Sequence, residues 1–145
     1  MHESLLRDFF LGAVNASALR ADLVGTVTRT SHDVFSHRVV DMDSDFAVST
    51  GHLIALCDAA LSGELSPIEL SAIATCMELS DRFQWDSGTP EGEVVAQTLA
   101  DWSSPEINYP LTPATLGKFR HRLVTGEDTF TRDDIASQHA RSSKA

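Results

Sequence analysis

Apolar residues recur at helical spacing along most of the chain. After Ser66-Pro67, the segment IELSAIATCMELS carries an apolar face that ends near Ser80 and contains Ile68, Leu70, Ile73, Ala74 and Met77. A second stripe follows Thr89-Pro90 and contains Val94, Val95, Thr98, Leu99 and Trp102, and a third follows Thr112-Pro113 with Leu116, Phe119 and Leu123. The pattern predicts a helix in each of these three segments.

Helix starts are marked by hydroxyl residues that precede proline. Four of the five prolines follow Ser or Thr, in the pairs Ser66-Pro67, Thr89-Pro90, Ser104-Pro105 and Thr112-Pro113. A Ser or Thr at the N-cap accepts a hydrogen bond from a free amide, and proline at the first helical position loses no intrahelical bond. We therefore expect a helix to begin at each pair.

Further helices are predicted on either side of these segments. One contains Leu53 to Leu61 and ends at Gly63, which suits a left-handed C-terminal residue, and another lies near Ser4 to Val14. Three segments share the outline of a helix that closes on glycine and is followed by a new cap: LGAVNASAL, LSGELSPIEL and VTGEDTFTRDDI. Thr131 with Asp134 resembles a capping box for a last short helix.

These elements predict an all-α fold, an antiparallel helical bundle of about five to six helices. The domain is expected to span residues 1–136, with a flexible C-terminal tail at 137–145. Residues 26–42, which are rich in Thr and Val, lack a helical period and fit either a strand pair or a loop that joins helices. We favour a loop with a short extended segment.

Charge is distributed unevenly along the chain, whose formal net charge is −10. Between Asp41 and Glu106 one basic residue, Arg82, accompanies thirteen acidic ones: Asp41, Asp43, Asp45, Asp58, Glu64, Glu69, Glu78, Asp81, Asp86, Glu91, Glu93, Asp101 and Glu106. This central region repels phosphate backbones and attracts cations or basic proteins. We expect no direct binding of DNA or RNA.

No stretch near the N-terminus is apolar enough to act as a signal peptide or a membrane anchor, because Glu3 and Asp8 interrupt it. Cys57 and Cys76 lie among apolar residues of predicted helices, where buried free thiols are the usual state. We expect a cytoplasmic protein that does not bind membranes.

The stretch DMDSDF places Asp41, Asp43 and Asp45 at alternate positions. A calcium-binding EF-hand loop that starts at Asp41 would need glycine and glutamate where Phe46 and His52 stand. The remaining interpretations are a solvated turn that brings negative charge to the next helix N-terminus, or a surface that faces another molecule.

Motifs for catalysis are scarce. The chain has no G-x-S-x-G, G-x-x-x-x-G-K-[ST] or G-x-G-x-x-G motif, and no two histidines lie three or four residues apart. We therefore predict no enzyme activity, no catalytic or metal-binding residues and no cofactor. The alternative is a small metal-dependent hydrolase in which Glu78 and Asp81 share a helix face.

Aromatic residues also occur in the predicted connections. Trp85 and Tyr109 lie between helices, whereas Phe83 and Trp102 are expected to face the core. An aromatic side chain with a rim of carboxylates has the composition of an interface anchor. Trp85 fits this description. It fits equally well as a side chain that folds back and covers the end of the bundle.

The segments LIALCDAALSGELSPIELSAIA, SDRFQWD and SPEINYPLT resemble small, acidic bacterial immunity proteins of the colicin and pyocin type. The resemblance covers about residues 40 to 126. It implies an antiparallel helical bundle whose acidic face binds the basic active cleft of a cognate toxin, often a nuclease. It carries over no catalytic residues.

The charge pattern and the resemblance lead to one hypothesis about the site. We expect the partner interface to contain Asp41, Asp43, Asp45, Trp85, Glu91, Glu93 and Glu106. An adaptor or regulatory subunit that binds a basic protein without neutralising it is the main alternative. The oligomeric state is left open.

Overall fold

The computed structural model describes residues 1–23, 27–29, 35–37 and 40–135. Its helices confirm the all-α prediction: α1 Glu3–Phe10, α2 Ala16–Leu23, α3 Thr50–Leu61, α4 Pro67–Leu79, α5 Pro90–Ser103 and α6 Pro113–Thr125, followed by a short 3-10 helix, Arg132–Asp134. The predicted tail, residues 137–145, lies outside the described residues.

Three of the four hydroxyl-proline pairs begin helices as predicted. Ser66, Thr89 and Thr112 are the N-caps of α4, α5 and α6, and each side chain accepts a hydrogen bond from a backbone N–H three residues later. The prediction for Ser104-Pro105 is wrong, because Ser104 ends α5 and a turn follows. A helix that started there would be interrupted by Pro110 after little more than one turn.

The predicted N-terminal helix is shorter than expected. It ends at Phe10, and a second helix, α2, begins after Asn15, whose side chain accepts a hydrogen bond from the Ala18 N–H at 3.0 Å. The shared outline of glycine-closed helices is present, since the glycines in its three copies all have a positive φ: Gly12, Gly63 and Gly126. Helices thus end where the backbone reaches the left-handed region that glycine enters without steric cost.

Two short strand pairs supplement the helices. β1 Val27–Arg29 pairs antiparallel with β2 Phe35–His37, so the favoured interpretation of this segment as a loop is wrong and the strand-pair alternative is confirmed. β1 contains the β-branched residues Val27 and Thr28, and β2 begins with Phe35, residue types that favour extended backbone. β3 Phe46–Ala47 pairs in parallel with β4 Phe83–Gln84.

The core lies between two helix pairs, α3 with α6 and α4 with α5. It contains Trp102 and Phe119 in edge-to-face contact, and the predicted core residue Phe83 is buried as well. Ile68 does not lie on the buried face of α4, where the sequence analysis placed it. It follows the helix start by one residue, lies about 200° around the helix from Leu70, and is 77% exposed.

Cys57 and Cys76 are buried free thiols, as predicted. The Cys57 thiol donates a hydrogen bond to the Leu116 carbonyl, and burial raises the pKa of Cys57 to about 12. A thiol with so high a pKa carries almost no thiolate at neutral pH, so it is chemically inert.

One ion pair is buried between α5 and α6. Arg122 is 2% exposed, and its guanidinium donates hydrogen bonds of 3.0 Å to Asp101 Oδ2 and 3.0 Å to Thr98 Oγ1. Burial raises the pKa of Asp101, and the hydrogen bond from Arg122 opposes that shift. Phe119 and Phe130 lie against the guanidinium, with ring centroids 5.2 and 5.4 Å from its carbon. The pair thus ties the two helices together inside an aromatic cluster.

The chain after α6 folds back over this cluster. Phe130 stacks on Tyr109 with ring centroids 4.2 Å apart, and Lys118 Nζ lies 2.6 Å from Asp134 Oδ2. Thr131 N–H also donates to Asp134, which confirms the predicted capping box. The segment up to Ile135 is therefore part of the packed domain.

Candidate protein interface

The parallel strand pair brings two distant loops together. The Phe46 N–H donates to the Arg82 carbonyl and the Val48 N–H to the Gln84 carbonyl, each at 2.8 Å. At the start of the pair, Arg82 Nη1 lies 3.3 Å from Asp45 Oδ1. The aspartate-rich turn 41–45 therefore lies beside the connection that follows α4.

The N-terminal helix holds the other end of this turn. Glu3 is buried, and its Oε1 accepts a hydrogen bond of 3.1 Å from the Met42 N–H. The Glu3 N–H donates to the Val40 carbonyl at 3.0 Å. Asp41 and Asp43 are consequently exposed on a turn whose backbone is fixed on both sides.

An aromatic cluster packs against the parallel strand pair. Phe10 of α1 lies between Phe46, Phe83 and His52, with ring centroids 5.9, 6.1 and 5.0 Å away, respectively. Three of these rings come from segments far apart in sequence. The cluster fixes the orientation of the strands and of the helix N-terminus that follows β3.

His52 is half-buried in this cluster. Its Nδ1 accepts a hydrogen bond of 3.0 Å from the Ser49 N–H at the start of α3, so the neutral ring carries its proton on Nε2. Burial lowers the pKa of His52, and the nearby charge of Glu91 opposes this shift. A proton on Nδ1 would face the Ser49 N–H and remove the cap.

We expect the protein to become less stable as the pH is lowered, because of His52. Its folded-state pKa lies below the ordinary value of 6.5, so the unfolded chain takes up a proton first as the pH falls below about 6.5. This contribution is complete above that pH and is lost as the pH falls through the folded-state pKa. Urea unfolding at pH 7.5, 6.5 and 5.5 should show a smaller loss for His52→Gln than for the wild-type protein. His121→Gln, at an exposed position, is the control; an equal loss in wild type and His52→Gln would contradict the assignment.

Most carboxylates of the central region have no basic partner. Four of the thirteen form ion pairs, through Asp45–Arg82, Asp58–Arg120, Glu69–Arg20 and Asp101–Arg122, at 3.3, 2.7, 3.0 and 3.0 Å. The other nine are exposed, and no basic side chain among the described residues pairs with them: Asp41, Asp43, Glu64, Glu78, Asp81, Asp86, Glu91, Glu93 and Glu106. The negative charge of this region is therefore largely open to an incoming partner.

The predicted interface residues occupy separate places. Asp41, Asp43 and Asp45 lie on the turn beside α1, and β3 follows this turn before α3 begins at Thr50. Trp85 is half-buried and packs against the core, with part of its ring in solvent. This packing fits a side chain that covers the end of the bundle, and the role of Trp85 as an interface anchor stays a prediction.

Glu91 and Glu93 lie in the first turn of α5. Glu91 Oε2 accepts a hydrogen bond of 3.1 Å from Thr50 Oγ1, which joins the N-termini of α5 and α3. Glu93 is two residues further on and points about 200° away around the helix. Both are exposed, but they face different directions.

Glu106 lies apart from these groups. It follows the C-terminal end of α5, a helix of 14 residues and so about 21 Å long. Glu91 and Glu106 therefore mark opposite ends of the bundle. The structure does not bring the seven predicted residues into one compact patch.

The arrangement required by the metal-dependent alternative is absent from the part of the chain that is described. α4 ends at Leu79, so Asp81 lies beyond the helix and does not share a helix face with Glu78. Across the described residues, no group of three or more His, Cys, Asp or Glu side chains is placed to hold a metal ion.

No helix in the described ranges combines the length and apolar character needed to cross a bilayer. The chain matches no protein-family model, no curated protein sequence and no solved structure.

Proposed function

We propose that this chain is an acidic helical binding protein whose partner is a basic toxin domain, and that it neutralises the toxin by covering the active cleft. The observation that supports this proposal is the set of nine exposed carboxylates that have no basic partner within the described part of the chain. A toxin that acts on nucleic acid needs a positive cleft, and such carboxylates complement it.

The paired and unpaired carboxylates have different consequences for binding. Asp58 is already held at 2.7 Å by Arg120, so much of its charge is compensated within the molecule. Glu78, Asp81 and Asp86 have no such compensation and contribute fully to the negative potential. Charges of this kind accelerate association with a basic surface, and the effect weakens as salt screens them.

Helices α3, α4 and α5 contain no lysine or arginine, whereas α6 contains Lys118, Arg120 and Arg122, each paired with a carboxylate. The basic residues of α6 are thus engaged within the fold, whereas Glu78 on α4 and Glu91 and Glu93 on α5 have no basic partner among the described residues. We assign these two helices and the turn 41–45, which lies beside the connection between them, to the partner.

Neutralising unpaired carboxylates should weaken partner binding without unfolding the protein. We expect Glu91→Gln/Glu93→Gln and Asp41→Asn/Asp43→Asn each to reduce affinity for the cognate toxin about tenfold, mainly through slower association. The control is Glu127→Gln/Asp133→Asn, which changes the charge equally at exposed positions outside the central region. The measurement is surface-immobilised binding of the purified products of the reading frames that flank the gene, with circular dichroism to check helicity. Equal effects in all three double variants would show that net charge alone acts and would remove these four residues from the interface.

A further inference from the structure

The outward face of α4 carries the two most exposed large apolar side chains among the described residues. Ile68 is 77% exposed and Leu79 is 71% exposed. They lie eleven residues apart in one continuous helix, Pro67–Leu79. Neither side chain contributes to the core, so the fold itself does not explain them.

The two side chains project from the same line along the helix. At about 100° per residue, eleven residues complete three turns to within about 20°, and the rise of about 1.5 Å per residue separates them by about 16 Å. Thr75 lies close to this line, while Leu70, Ile73 and Met77 point to the opposite side and are buried. The apolar pair therefore faces away from the bundle.

Small side chains occupy the stretch between the two apolar residues. Ser71 and Thr75, both partly buried, lie on one side of the line and the buried Ala72 lies on the other, and Thr75 Oγ1 donates a hydrogen bond of 3.0 Å to the Ser71 carbonyl. That bond satisfies the threonine hydroxyl within the helix. The exposed apolar surface of α4 is therefore confined to Ile68 and Leu79 at its two ends.

The charges around this face are negative. Glu64, Glu78 and Asp81 are exposed and have no basic partner among the residues that the structure describes, while Arg20 and Arg82 pair with Glu69 and Asp45. A second copy of the chain would bring the same carboxylates against each other. The face is instead complementary to a basic surface that also carries apolar side chains.

We propose that Ile68 and Leu79 on the outward face of α4 are the apolar anchors on which a basic protein partner docks. This inference rests on the proposed function as far as binding a basic protein is concerned, but not on the toxicity of that protein. Interface anchors are apolar side chains with polar or charged residues around them, and Ile68 and Leu79 are accompanied by exposed carboxylates. It adds to the predicted interface an anchor that is more exposed than Trp85.

The test places a photo-crosslinking residue, p-benzoylphenylalanine, at position 75 of the full chain in cells of its source strain. A control chain carries it at His121, an exposed position on α6. We expect position 75, and not position 121, to cross-link one protein with an isoelectric point above about 9. Mass spectrometry identifies that protein, and its purified form is then used for binding measurements.

Two matched double variants decide the role of the anchors. Ile68→Ser/Leu79→Ser should reduce both the cross-link and the affinity at least tenfold, whereas Ile107→Ser/Val124→Ser should change them less than twofold. Ile107 and Val124 are 69% and 57% exposed, so the control removes apolar surface of similar exposure at unrelated places. Thermal unfolding checks that both variants fold.

Several results would overturn the proposal: no cross-link at position 75, a cross-link to a second copy or to an acidic protein, or equal effects of the two double variants. The outcome is separable from the toxin proposal. A harmless basic protein whose binding requires Ile68 and Leu79 supports the docking face and contradicts neutralisation of a toxin. A toxin that is neutralised, and whose binding does not depend on Ile68 and Leu79, supports the toxin proposal and contradicts the docking face.

Discussion

Replacement of Arg122 by alanine should lower the free energy of unfolding by about 3 to 5 kcal/mol, because it leaves Asp101 buried without its cation. Arg122 is 2% exposed, and it is the basic side chain that pairs with Asp101. The substitution also removes the contact of the guanidinium with Phe119 and Phe130. Urea unfolding monitored by circular dichroism at pH 7 measures the change.

Two controls separate the buried charge from other effects. Arg120→Ala breaks the exposed pair with Asp58 and should lower the stability far less than Arg122→Ala, because solvent screens exposed ion pairs. Arg122→Met/Asp101→Leu removes both buried charges and should be much more stable than Arg122→Ala, since buried ion pairs are often replaced by apolar residues without loss. If Arg122→Ala is no less stable than Arg120→Ala, Asp101 is not held by Arg122 as the structure indicates.

Substitution of Gly92 by alanine should destabilise the protein by about 1 to 3 kcal/mol, because a Cβ at this position would overlap the backbone carbonyl of Asp86. Gly92 lies in the first turn of α5, where its N–H donates to Thr89 Oγ1 at 3.0 Å. The overlap is with backbone, so relief requires movement of the turn that precedes α5. Trp85 adjoins that turn, and its fluorescence should report the movement.

Gly117→Ala provides the matched comparison. Gly117 lies within α6, and a Cβ there meets no atom within 4 Å. Alanine loses less conformational freedom on folding than glycine, so this variant should be more stable than the wild type by about 0.5 to 1 kcal/mol. Chemical denaturation of both variants gives the comparison, and a neutral Gly92→Ala would show that the turn does not approach α5 as closely as described.

The helix starts could be predicted because their signals are local. Ser66, Thr89 and Thr112 each bond to an amide three residues along, so a short stretch of sequence contains the whole interaction. Ser104 has the same signal and fails, since Pro110 limits the space for a helix. The parallel pair of β3 and β4 joins Phe46 to Phe83 through only two residues in each strand, which gives no periodic pattern to detect.

The candidate site was less accessible from sequence. Net charge follows from composition, but the carboxylates that remain unpaired depend on contacts between distant residues. Arg120 reaches Asp58, 62 residues away, and Arg20 reaches Glu69, 49 residues away. The apolar periodicity of α4 also placed Ile68 on the predicted core face. The packing of Leu70 and Met77 in the structure shows that Ile68 faces solvent instead.

Growth rescue is the measurement that tests the central proposal most directly. Each reading frame beside the gene is induced alone and then together with this protein, and viable counts are compared. The account predicts that one neighbour encodes a toxic, basic protein and that co-expression of the wild-type chain restores growth. Absence of any toxic neighbour, or a toxic neighbour whose effect this protein leaves unchanged, would contradict the proposal that it is a toxin inhibitor.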